Sequence, residues 1–114
     1  MKKLFLPLMF STFVISACSQ SVPKCSDTET VDLVKEIASR EIGGEFGPGH
    51  EQLISYDVKA IRTTDKNDKT GALECSAELM ISSKQIGFSK SIPIKYLVEL
   101  TDEGDEFYVT VFGI

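Results

Sequence analysis

A chain of 114 residues has room for one domain. Its hydrophobic content of 42% includes no Trp, so the core must rest on Phe, Tyr, Ile, Leu and Val. Twelve basic residues against seventeen acidic ones, a net charge of -5, argue against nucleic acid or an anionic membrane surface as a partner, since both need a basic patch, and favour solubility or a basic partner.

The chain opens with Lys2 and Lys3, a positive n-region, followed by an uncharged apolar run from Leu4 to Val14. That run is short for a membrane span and suits a signal h-region. Ile15-Ser16-Ala17-Cys18 comes next, an aliphatic residue, two small residues and Cys. In this position it resembles the lipobox of bacterial lipoproteins. The resemblance implies diacylglycerol on the Cys18 sulfur, cleavage before Cys18 and acylation of the new amino group. Several acyl chains on one residue anchor durably, at about 0.8 kcal/mol per buried methylene. Ser19, where Asp tends to retain Gram-negative lipoproteins in the inner membrane, looks like an outer-membrane address. A plain secretory signal with an incidental Cys is the alternative. Loss of residues 1–17 removes both leader lysines, so ten basic residues face seventeen acidic ones and the mature charge falls to about -7.

In an oxidising envelope, with Cys18 assigned to lipid, Cys25 and Cys75 are expected to pair. A metal site would want more ligands than one His supplies, and a redox centre would want a close Cys pair. Residues 18–25 read as a lipidated polar tether and 26–114 as the domain.

Ser26-Asp27-Thr28-Glu29 fits a capping box. Val31, Val34, Ala38 and Ile42 then fall on one helical line, with Leu33 and Ile37 beside it, and Gly43-Gly44 closes a helix over about 27–42. Glu45 to Gly49 is a loop. Ile54, Tyr56, Val58 and Ala60 alternate with polar residues, and the phase changes at Ile61, which predicts a bulge or a strand end. A polar turn at 65–71 leads to a second strand whose core face carries Leu73, Cys75, Ala77, Leu79 and Ile81. After a looser stretch at 82–89, Ile92, Ile94, Tyr96, Val98 and Leu100 share the face of a third strand. Pro93 there implies an edge or a strand entry. An acidic turn precedes a last strand, 107–114, that is apolar on both faces.

The expected fold is α+β: one N-terminal helix across a four-stranded antiparallel meander, with the disulfide pinning the helix start over the sheet. This layout resembles the cystatin and nuclear-transport-factor folds, a likeness of shape that implies no function. The cystatin loop pattern Gln-x-Val-x-Gly is absent. Residues 96–111 resemble the C-terminal strand pair of small uncharacterised exported proteobacterial proteins.

No constellation reads as catalytic, and neither cofactor nor metal nor small-molecule substrate is expected. His50, the single histidine, lies in a Gly-Pro-Gly-His loop without a nucleophile elbow. Asp65, Asn67 and Asp68 lack calcium-loop spacing, and Lys66 and Lys69 intrude. Asp102, Glu103, Asp105 and Glu106 surround Gly104 as a turn that protects strand edges, with a weak calcium site or a contact for a basic partner as the alternatives. Met80, Leu97, Tyr108 and Phe112, with Phe88 beside them, are expected on the otherwise polar sheet back, either as an apolar patch that marks a partner interface or as lone hydrophobes and residues covered by a strongly curled sheet. These features suggest an outer-membrane lipoprotein facing the periplasm, held there by the lipid on Cys18. It would act as a non-enzymatic binding or scaffold module for another envelope protein. The alternative is an inhibitor or immunity protein against a basic hydrolase such as lysozyme.

Overall fold

The computed structural model describes residues 21–44, 49 and 52–114. The expected leader, Cys18, most of the 45–49 loop and His50 lie outside the described residues. Helix α1 spans Thr28–Gly43 and is followed by strands β1 (Ser55–Lys66), β2 (Leu73–Ser83), β3 (Phe88–Leu100) and β4 (Phe107–Phe112). The strands form one antiparallel sheet in the order β1-β2-β3-β4. This is the α+β meander that the hydrophobic periods predict.

The helix starts one residue later than a Ser26 cap would place it. Asp27, in extended geometry, is the N-cap and makes no side-chain cap bond. Its Oδ2 instead accepts the Lys24 N–H at 2.9 Å, while its carbonyl accepts the Val31 N–H at 2.9 Å. The capping-box expectation therefore fails: the Asp27 carboxylate is occupied by the turn that carries Cys25 into the helix. Glu29 still sets a negative charge in the first turn, against the positive helix end.

Val34, Ala38 and Thr30 are buried, with Val31 and Ile42 packed partly buried at the margin of the core. Facing them are Val58 from β1, Ala77, Leu79 and Ile81 from β2, and Ile94, Tyr96 and Val98 from β3. Backbone approach between helix and sheet is closest at the two outer strands, β1 and β4. A twisted sheet that curls its margins toward the helix produces this pattern.

The phase change at Ile61 is a bulge. Register against β2 slips between Lys59 and Arg62, and Ala60 sits there with φ 53, in the left-handed region. Pro93 is mid-strand rather than at a strand entry, pairing with Glu78 of β2. The strand tolerates it because β4 pairs with β3 only from Lys95 onward, so at Pro93 β3 is locally an edge.

Cys25 and Cys75 form a disulfide with a Cα–Cα distance of 5.9 Å, closing a sequence separation of 50. The two are 2% and 1% exposed. The Tyr96 hydroxyl, from the residue paired with Cys75, donates to the Cys25 carbonyl at 2.7 Å. The Thr63 hydroxyl, also opposite Cys75, donates to the Cys25 sulfur at 3.2 Å. Val22 packs against this core too.

Replacing both Cys25 and Cys75 with Ala is expected to lower unfolding free energy in urea by about 4 kcal/mol, the chain-entropy value for a loop of this length. Tyr96→Phe removes one buried hydrogen bond and leaves the Cys25 carbonyl unmatched, for a loss of about 1–2 kcal/mol. Burial also pushes the Tyr96 hydroxyl from its ordinary value of 10.0 up to about 12. Between these values the folded state keeps a proton that the unfolded state releases, so this contribution is full below pH 10 and is lost as pH rises to about 12. The stability difference between wild type and Tyr96→Phe, followed through that window, should shrink.

Candidate functional site

The register of the sheet decides which surface residues meet. On the back, away from the helix, Leu97 pairs with Thr110. Tyr108 and Phe112 lie two residues to either side of Thr110, on the same face and within diagonal reach of Leu97. Tyr108 is 65% exposed and Phe112 55% exposed. Around them stand Lys95, opposite Phe112, Glu99, opposite Tyr108, and Glu74, opposite Leu97. The result is a small aromatic and aliphatic patch with a charged rim. Shallow concavities of about 330 Å³ and about 290 Å³ flank Phe112, the first lined by Arg62, Pro93 and Lys95, the second by Thr64, Glu74 and Leu97.

Met80 does not join this patch. It pairs with Asp57 on one side and Ser91 on the other. Ser91 is six residues from Leu97, roughly 20 Å along the strand at about 3.4 Å per residue. Phe88 is also absent from the back: it shares the parity of Ile92, Ile94 and Tyr96 and so belongs to the helix side, at the exposed β2–β3 hairpin. Alternation along single strands suggests one continuous patch, whereas the pairing register divides it.

The acidic turn is held by Thr101. Its N–H donates to the Glu106 carbonyl at 2.9 Å, its carbonyl accepts the Gly104 N–H at 2.9 Å, and its hydroxyl lies 3.4 Å from Asp105 Oδ1. Gly104 takes φ 79, which lets the chain reverse there. Asp102, Glu103, Asp105 and Glu106 are all exposed. Among the described residues, no three carboxylate, thiol or imidazole groups converge as metal ligands. In the 65–71 turn, the Asn67 side-chain oxygen accepts the N–H groups of Lys69 and Thr70 at 2.9 and 3.0 Å, a structural use of that residue.

A third feature is a groove of about 1020 Å³ between α1 and β4. Leu33 and Ile37 form its helix wall, Phe107 and Val109 its strand wall, and Val22 and Pro23 its end. Asp27, Glu29, Asp105 and Glu106 border it together with Arg40 and Lys24. The acidic turn thus shares a rim with the helix start, a meeting that sequence separation conceals. The signal for the groove was present in the second apolar line of the helix, Leu33 and Ile37, which is broader than one sheet face covers. Both remain only partly buried.

On β1, Lys59 pairs with Asp57 at 3.1 Å and holds its carboxyl below the ordinary value of 3.8, with Lys35 of the helix at 3.9 Å adding to the effect. Among the described residues no helix is long and apolar enough to cross a membrane. Compared with known proteins, the chain matches no protein-family model, no curated protein and no solved structure.

Proposed function

We propose that this chain is a small lipid-anchored protein of the bacterial outer membrane, facing the periplasm and serving as a non-enzymatic binding or scaffold module for another envelope protein. The anchor is Cys18 in Ile15-Ser16-Ala17-Cys18, and the docking surface is the patch of Leu97, Tyr108 and Phe112 on the sheet back. The observation that carries the reading is the exposure of two aromatic side chains, Tyr108 and Phe112, on a face whose neighbouring positions are charged. Large exposed aromatics inside a polar rim are the composition of an interface centre.

A second reading is supported by the groove between α1 and β4. Four carboxylates, Asp27, Glu29, Asp105 and Glu106, border it, and such a rim suits a basic surface. Here the chain would inhibit, or confer immunity to, a basic hydrolase such as lysozyme, with the 102–106 turn as the contacting element.

A photoreactive residue at position 108 or 112 of the full chain in cells should trap one protein of defined mass other than the chain itself. The same probe at Met80, on the same face but distant, should trap none. Cys18→Ser should lose labelled fatty acid and be released from membranes. Muramidase inhibition abolished by a combined Asp105→Asn and Glu106→Gln substitution, without crosslinks from position 108, would select the second reading.

A further inference from the structure

Strand β4 forms one margin of the sheet. Among the described residues nothing pairs with it on the side away from β3. Its six residues, Phe107-Tyr108-Val109-Thr110-Val111-Phe112, contain no charge, no Pro and no Gly. Such a margin presents alternate backbone N–H and C=O groups to any extended chain, and proteins ordinarily protect it with charge, a bulge or a covering loop. The opposite margin carries that protection: β1 is interrupted at Ala60 and bears Asp57, Lys59, Arg62 and Asp65. Among the described residues, a groove beside residues 105–109 separates α1 from the β4 margin. The core-facing side chains Phe107, Val109 and Val111 remain only partly buried there.

We infer that the occupant of this margin is a second copy of the same chain, with β4 pairing antiparallel to β4 of the partner and the two sheets continuing as one of eight strands. Two properties of the strand select a copy of itself. First, a two-fold axis normal to the sheet keeps helix-side residues on the helix side, so only registers centred on a residue are allowed. Centred on Thr110, the pairing sets Thr110 against its own copy. It also sets Val109 against Val111 on the helix side, and Tyr108 against Phe112, twice, on the back. Aromatic pairs and Thr pairs are favourable cross-strand neighbours. Centred on Val109, Phe112 would face Glu106 instead, which makes Thr110 the better centre. Second, the acidic turns do not oppose this pairing. Each Asp105 lies five residues from the axis, so the two fall at opposite ends of the junction, roughly 35 Å apart at about 3.4 Å per residue. That distance is several Debye lengths at physiological salt, about 8 Å each.

The pairing rests on β4 alone and is independent of the proposed envelope partner. It would join two Leu97–Tyr108–Phe112 patches across the axis, doubling the docking surface on the sheet back.

The test uses the full chain in its bacterial envelope and extracted in mild detergent. Thr110→Cys under mild oxidation should give a disulfide-linked species of twice the monomer mass, since Cα atoms of directly opposed residues lie about 4.5–5.5 Å apart. Lys59→Cys on the other margin should give none. Thr110→Lys and Thr110→Glu should each sediment as monomers, and their equimolar mixture should recover the dimer, because only self-opposed residues convert like-charge repulsion into attraction. A monomeric wild type, dimers that persist in Thr110→Lys, or a Thr110→Cys crosslink to a chain of different mass would each overturn the inference. The last result would leave the envelope-partner reading standing. A dimer in which probes at positions 108 and 112 trap only a second copy of the chain would do the reverse.

Discussion

Cys25 is the point at which the helix is fixed to the sheet. Its sulfur is bonded to Cys75 of β2 and accepts the Thr63 hydroxyl of β1, and its carbonyl accepts the Tyr96 hydroxyl of β3. Three adjacent strands therefore hold one residue, three positions before the helix begins. Helix–sheet contact in a domain this small is modest, and a bridge closing a fifty-residue separation supplies stabilisation comparable to much of a small domain's total. The Tyr96 hydroxyl satisfies a carbonyl that burial would otherwise leave unmatched.

The helix position decides what the surface offers. With its start pinned near the middle of the sheet, α1 buries Thr30, Val34 and Ala38, while Leu33 and Ile37 line the groove that it shares with β4. The groove and the partly buried strand residues beside it follow from that one placement. The exposure of Tyr108 and Phe112 has another origin. They face away from the helix on the shortest strand, where, among the described residues, only β3 lies alongside. A strand that is apolar on both faces, with no second neighbour among the described residues, offers two surfaces: one sideways through its backbone, one outward through its aromatic rings.

Much of this was legible in the residues. The spacing of Val31, Val34, Ala38 and Ile42 marks the helix, and alternation marks each strand because burial on one face imposes period two. The shift at Ile61 locates the bulge for the same reason. The parts that were not legible depend on pairing between strands. Whether Met80 lies near Leu97 is a question of register, and single-strand alternation carries no register. Phe88 falls on the helix side because β3 runs unbroken from Phe88 through Ile92, a continuity that the polar stretch before it conceals. Ser26 matches the capping pattern, yet the turn through Lys24 and Asp27 that delivers Cys25 to Cys75 sets a different start. Pro93 implies an edge or a strand entry, and the short reach of β4 selects the first, a local edge in mid-strand. The role of the Tyr96 hydroxyl could not be seen, since its partner lies 71 residues away.

The account stands on the anchoring of α1 through Cys25. Hydrogen exchange of the full chain, with the disulfide intact and after reduction, tests it most directly. The Val34 and Ala38 amides should lose protection by roughly a hundredfold or more on reduction, given a bridge worth about 4 kcal/mol. Helix amides equally protected in both states would show that α1 is held by something other than this bridge, and would contradict the account at its base.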